Sequence, residues 1–455
     1  MTTPGSTASL EEQIDRWRDY LRRRQAIHTV DVAELEDHLR EQISGLTDAG
    51  LATDEAFLVA VKRMGNLDAL SREFAREHSE RLWKQLVLPV DVPAAPGRAR
   101  SDGLVAFALA ALAAILIKLP ALFGLSIKDD APFYLRNLSL FVLPLLCGYF
   151  VWKRRAATSA PRWLALGFAV ALLFANVYPF APHGHTVALT ALHLPISLWL
   201  LVGVAYAGGR WGQVAGRMDF IRFSGEFFIY YVLIALGGMV FTAFMAVIFK
   251  AIGLDVEPLF QSWLIPCGAI GAVVVASWLV EAKQSVIENM APVLTRLFTP
   301  LFATLLVVFL GTMLWTGRAI GIARDELIAF DLLLVVVLGL LLYSVSARDT
   351  AAPPGPFDTL QVILLISALI ADLVALWAIA ARISEFGFTP NRVAALGENV
   401  ILLVNLAGSA MLYLKFLRGG AVFARLEKWQ TDYLPVYAVW AAIVVVLFPI
   451  IFKFI

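Results

Sequence analysis

The sequence predicts an all-α protein: a polytopic transmembrane helix bundle of about eleven spans, preceded by a small N-terminal cytoplasmic helical domain. Three observations predict it. Long apolar stretches separated by short polar loops fill the chain from about Leu104 to Phe452. A spanning helix needs about 20 apolar residues, and Leu104–Leu125, Phe227–Phe249 and Val436–Phe452 approach or reach that length. Hydrophobic residues make up 59% of the chain and the mean hydropathy is +0.74, which does not suit a soluble enzyme of 455 residues. The first ~100 residues break the pattern, being charge-rich and without an apolar run. The expected organisation is therefore a helical domain over 1–88, a Pro-rich linker over 89–102 and a transmembrane domain over 103–455.

Four helices are expected in the soluble head. Ser9-Leu-Glu-Glu12 is a capping-box start, with Ile14, Trp17, Tyr20 and Leu21 at helical spacing behind it. Asp31-Val-Ala-Glu34 starts a second helix, whose stripe is Val32, Leu35, Leu39, Ile43 and Leu46 and whose stop is Gly50. Thr53-Asp-Glu starts a third, with Ala56, Phe57, Val59, Ala60, Val61 and Met64 expected inside, closed by Gly65. Leu67–Leu88 is the fourth. His38 and His78 lack a Cys or second His at metal spacing and are expected to pack or face solvent.

The head also carries a resemblance. Glu34-Leu-Glu-Asp-His-Leu-Arg-Glu-Gln, then Gly50-Leu-Ala-Thr-Asp-Glu-Ala-Phe and Met64-Gly-Asn-Leu-Asp-Ala-Leu, resembles the HAAS signalling domain, also called the permease prefix domain. The likeness covers about Leu10–Arg76. It implies a bacterial module that sits before membrane domains and is associated with signalling, often with transcription regulators of the PadR type. The family supplies no catalytic residues to carry over. The competing expectation is a helical cap that aids folding or assembly.

Beyond the head, Pro89, Pro93 and Pro96 are expected to keep the linker extended. Spans are expected near 103–125, 137–152, 162–180, 186–207, 227–250, 262–280, 297–315, 327–346, 358–380, 398–415 and 435–452. No signal peptide opens the sequence, so the N-terminus is expected in the cytoplasm; that the membrane is a bacterial inner membrane is what the resemblance implies. Alternating from there places fourteen Lys and Arg on the inside and eight on the outside, the bias expected of N-in and C-out. Pro179, Pro182 and Pro195 leave re-entrant third and fourth spans open. Cys147 and Cys267 lie in apolar segments, which argues against a disulfide framework. Gly237-Gly238 and Gly268-Ala-Ile-Gly271 are expected to permit close helix packing. No internal repeat supports an inverted-repeat transporter.

Charge inside a span is costly, so Asp372, deep in the ninth span, is the first candidate for a proton or ion site, with mid-span Asn405 as a polar partner. A structural helix–helix contact is the alternative. Arg382, Glu385 and Arg392 flank Gly387 and Thr389-Pro390. They could clamp an anionic substrate or lipid headgroup, or simply pin an interfacial turn that Thr389 or Asn391 caps. This stretch, Ala381-Arg-Ile-Ser-Glu-Phe-Gly-Phe-Thr-Pro-Asn-Arg-Val393, with the span around Asn399 and Asn405, resembles a bacterial polytopic family classed as a domain of unknown function (number 4153), over about residues 220–455.

Other polar residues are expected to be structural: Glu226 and Asp331 at helix N-termini, Glu281 pairing with Lys283, and Lys118 snorkelling. His183, His185 and His193 have no acidic or thiol neighbour to complete a metal shell, so no metal or cofactor is expected. There is no phosphate-binding, nucleophile-elbow, zinc-protease or dinucleotide motif, and a net charge of +1 gives no reason to expect direct nucleic-acid binding. The expected partners are membrane lipid and a cytosolic or membrane regulatory protein docking on 1–88, with homo-oligomerisation left open. The leading expectation is an envelope sensor or regulatory subunit. A proton-coupled permease using Asp372 and a scaffold are the alternatives.

Overall fold

The computed structural model describes residues 10–11, 14–15, 29–48, 50–63, 96–155, 160–181, 184–251, 254, 256–282, 290–317 and 324–455. They form two compact units, Met1–Ala99 and Arg100–Ile455. The expected first and fourth head helices fall largely or wholly outside these residues, as do His78, His183 and Lys283.

In the first unit, α1 (Thr29–Asp48) packs on α2 (Thr53–Arg63). Leu39, Ile43 and Leu46 of the predicted stripe are buried with Ile14, Ala56 and Ala60. Gly50 takes φ +95°, a conformation that costs a side-chain-bearing residue energy. Its N–H returns to Thr47 and that of Leu51 to Leu46, the double closure of a Schellman stop. Outside this core Arg40 bridges Glu11 (2.7 Å) and Glu36 (3.0 Å). These two carboxylates, Glu11 first, hold its guanidinium above the ordinary arginine value.

Among the described residues the second unit is an all-α bundle with eleven helices long and apolar enough to cross a membrane. They are α3 (Pro96–Lys118), α4 (Ala131–Lys153), α5 (Ala160–Val177), α6 (His185–Ala207), α7 (Val214–Ala251), α8 (Glu257–Ala282), α9 (Met290–Thr316), α10 (Arg324–Ala347), α11 (Pro356–Phe386), α12 (Pro390–Leu417) and α13 (Ala424–Ile451). The protein is thus a multi-pass membrane protein. Both α5 and α6 are full helices despite the prolines around them. Pro195 sits inside α6. The linker expectation needs correcting at its end, because Pro96 already opens α3, where a missing N–H costs nothing.

The loops fall into two sets, one at each end of the bundle. At one end Glu281 accepts from Arg154 (2.8 Å) and pairs with Lys153 (3.1 Å), partners that come from α4 and its following turn; Lys283, its expected partner, lies outside the described residues. Arg348 holds Asp358 through two bonds (2.8 and 2.9 Å), takes three loop carbonyls, and stacks over Phe416 and Phe423. That staple fixes the α10–α11 turn against the α12–α13 turn. At the other end the last residues of the chain meet the α5–α6 loop: Ala181 N–H donates to Phe454 and Thr186 N–H to Ile455.

Some predicted helix contacts do not form. Nothing lies within 4 Å of a Cβ built on Gly237, Gly238 or Gly268, whereas Gly271 faces Ala110 at 3.8 Å. The close approaches are made elsewhere: Gly203 against the Phe220 ring, Gly225 against Tyr343, Gly408 against Trp429 and Gly397 against Trp440. In each pair a glycine on one helix leaves room for an aromatic ring on another or further along the bundle.

Candidate functional site

A cavity of about 800 Å³ lies among α4, α6, α7, α8, α10, α12 and α13. Most of its wall is aliphatic or aromatic, as the apolar sequence of these helices dictates. Polar groups gather at one end: His193 of α6, Asp331 of α10, and Glu398 with Asn399 of α12. The depth of this cluster follows from helix rise. His193 and Glu398 each lie eight residues inside their helix starts at His185 and Pro390, and Asp331 seven inside Arg324. At 1.5 Å per residue that is roughly 10–12 Å below the end of the bundle.

The hydrogen bonds define the protons. His193 Nδ1 lies 2.8 Å from the Leu189 carbonyl, which can only accept, so Nδ1 carries hydrogen. Its Nε2 lies 2.5 Å from Glu398 Oε1. That contact needs one proton between the two atoms, giving either imidazolium with carboxylate or imidazole with carboxylic acid. In both forms the pair is net neutral. Asn399 donates to Asp331 Oδ1 and to the Ala395 carbonyl, both at 2.8 Å. Its donors are spent, and its fully buried Oδ1 has no partner among the described residues. Two other wall atoms, Ser139 Oγ and Trp440 Nε1, are likewise buried without a partner among the described residues.

Part of the cavity's boundary is apolar and lateral. Leu192, Ile196, Phe228 and Val335 line it and are also exposed on the bundle perimeter, Phe228 by 66% and Leu192 by 67%. The cavity therefore opens sideways between α6, α7 and α10, on the surface that hydrocarbon chains would cover.

Asp372 stands behind this cluster. It is wholly buried in α11, fourteen residues from Phe386 and sixteen from Pro356, and so roughly 21–24 Å from either helix end. Among the described residues neither of its carboxylate oxygens has a hydrogen-bond partner. It is within electrostatic range of Asp331. Asn405 does not complete it. That amide donates to Gln430 Oε1 (3.2 Å) and Tyr437 (2.5 Å), and its oxygen accepts from Trp429, Gln430 and Ser409 at 3.0–3.1 Å. The polar partner expected for Asp372 thus belongs to a satisfied network between α12 and α13. Helix rotation decides this, because the two residues point from their helices toward different neighbours.

The Arg382–Arg392 segment is a turn. Arg392 donates to the Phe386 and Gly387 carbonyls (2.9 and 2.8 Å) and lies over the Phe386 ring, tying off the end of α11. Thr389 caps α12 and Pro390 opens it, as expected. Arg382 is half-buried and Glu385 exposed. Asn391 reaches across to His185 Nδ1 (3.0 Å). Glu226 is not at a helix start either, since α7 begins at Val214 and buries it in its fourth turn.

Sequence reasoning missed Glu398 altogether, and gave Asp331 and His193 no functional part. Hydropathy alone sets the tenth span at 398, leaving Glu398 on its rim. The Thr389-Pro390 cap was the available signal, because it starts the helix eight residues earlier and carries Gly397-Glu398-Asn399 inside. Among the described residues there is no group of three potential metal ligands.

No protein-family model, curated protein or solved structure matches the chain. Its function is therefore argued from the cavity.

Proposed function

We propose that this protein is a membrane receptor for a single-chain amphiphile, which it takes up from the bilayer and reports through its helical head. The observation that carries this reading is the lateral cavity: apolar walls open to the perimeter, with a polar cluster made of buried His193 and Asn399 and half-buried Asp331 and Glu398. Such a shape suits a hydrocarbon chain with a small polar head. The head unit, 1–88, would dock a cytosolic or membrane regulatory protein, as its likeness to the HAAS or permease prefix family implies. The likeness of 220–455 to the uncharacterised polytopic family sets no activity against this. The Lys/Arg bias of the loops favours residues 1–88 on the cytoplasmic side of a bacterial inner membrane.

The test is mass spectrometry of small molecules retained by the purified full chain. Wild type should carry a chain-bearing molecule that Ile196→Phe, which narrows the lateral opening, loses. Equal retention by both would sink the reading.

A second reading rests on Asp372. A carboxylate this deep, without a hydrogen-bond partner and within range of Asp331, fits the coupling group of a proton-linked permease. Asp372→Asn would then abolish proton-coupled flux in proteoliposomes.

A further inference from the structure

We infer that the polar end of the cavity receives the protonated amine of a long-chain amine, an inference that rests on the amphiphile reading above. The first argument is charge. Among the residues lining the cavity there are two carboxylates, Asp331 and Glu398, and neither Lys nor Arg. His193 and Glu398 share one proton and cancel, which leaves Asp331 without a countercharge on the wall. A phosphate or sulfate head would meet that field with no cation to receive it, and burying it so is prohibitive.

The second argument is hydrogen-bond polarity. Asn399 Oδ1 is buried and can only accept, because the amide's donors are committed to Asp331 and Ala395. Ser139 Oγ can accept as well, and the carboxylates only accept when ionised. Trp440 Nε1 can only donate, and the Ser139 hydroxyl can donate as well as accept. An ammonium brings up to three donors to a wall dominated by acceptors. A head that itself only accepts would leave Asn399 Oδ1 an orphan.

The third argument is the aromatic lining. Trp440, Tyr437 and Trp199 all contribute to the wall. Aromatic faces attract ammonium groups, most strongly where water is excluded. The apolar remainder of the cavity accommodates the chain, which enters past Ile196 and Phe228.

The experiment uses the full chain in nanodiscs of zwitterionic lipid. Chain-brominated dodecylamine, dodecanol and dodecyl phosphate are titrated, and quenching of tryptophan fluorescence is followed. The amine is expected to half-saturate at a concentration about tenfold below the alcohol and the phosphate, the gain of one charge-assisted contact. Asp331→Asn combined with Glu398→Gln should remove that advantage, so that the amine half-saturates no earlier than dodecanol in the same variant. A phosphate that binds as tightly as the amine overturns the inference, and so does an amine preference that survives the double variant. If dodecanol matches the amine in wild type, the head inference falls while the cavity reading stands. If no probe quenches, both fall. Should the double variant fail to fold, the wild-type ranking decides together with Ile196→Phe, which must lose amine quenching.

Discussion

Two helices of equal apolarity occupy opposite environments. The most apolar 18-residue window of α7 has a mean hydropathy of 2.5 and that of α11 has 2.6, yet none of the first is buried within the chain and 56% of the second is. In water such a difference would be written in the hydropathy itself, since exposed faces must be polar. In a bilayer both environments are apolar, so that contrast vanishes and packing shape takes over. α11 presents Ala368, Ala371, Ala375 and Ala378 along one face, all buried, and lets neighbouring helices approach. The outer half of α7 carries Phe228, Leu233, Phe241, Phe244 and Ile248, all exposed. Small residues mark the packed helix and large ones the perimeter.

This contrast can be tested by substitution, with unfolding of the purified protein in detergent as the readout. Overpacking should give the largest effect. Ala375→Leu in α11 should destabilise by about 1–3 kcal/mol, whereas Ala243→Leu on the exposed part of α7 should stay within about 0.5 kcal/mol. Equal costs would show that the outer half of α7 is covered after all.

Glycine substitutions sharpen the same comparison with opposite signs. A Cβ at Gly397 would lie 2.1 Å from the Trp440 ring, so Gly397→Ala should destabilise by about 1 kcal/mol or more. At Gly238 nothing lies within 4 Å, and Gly238→Ala should stabilise by up to about 1 kcal/mol through helix propensity. A loss of stability at Gly238 would mean that α7 needs glycine for a contact.

The smallest effect is expected at Asp372. Its carboxylate makes no hydrogen bond among the described residues, so Asp372→Asn removes none and should change stability by no more than about 0.5 kcal/mol. Asn405 is the control. Asn405→Leu takes the amide donor from the Gln430 side-chain oxygen and the Tyr437 hydroxyl and should cost about 1–3 kcal/mol. If Asp372→Asn proved as costly as that, the carboxylate would have a structural partner.

The spans were legible in the sequence because insertion is a local property. Each run of apolar residues must satisfy its own backbone within one helix, whatever its neighbours do. The eleven expected spans accordingly overlap α3 to α13 one for one. Their ends were less legible. Hydropathy places the fifth span at 227 and the tenth at 398, while the helices begin at Val214 and Pro390, because polar residues such as Arg217, Asp219 and Arg392 are perfectly helical once beyond the apolar zone. Gly50, Thr389 and Pro390 were read correctly as stop, cap and start, since a backbone conformation or a missing donor acts on the spot where it occurs.

The candidate site was less legible than the fold. Asp372 and Asn405 were singled out correctly as buried polar groups, but their pairing was not, and the cluster of His193, Asp331, Glu398 and Asn399 was not assembled. What the sequence alone determined was an all-α, multi-pass chain and the positions where its helices bear polar atoms. Only the tertiary structure decided which of those atoms meet. Each helix can turn about its axis without changing its apolar contact with lipid, so the rotation that joins His193 to Glu398 and separates Asn405 from Asp372 is fixed by the fit of glycines, alanines and rings between neighbours.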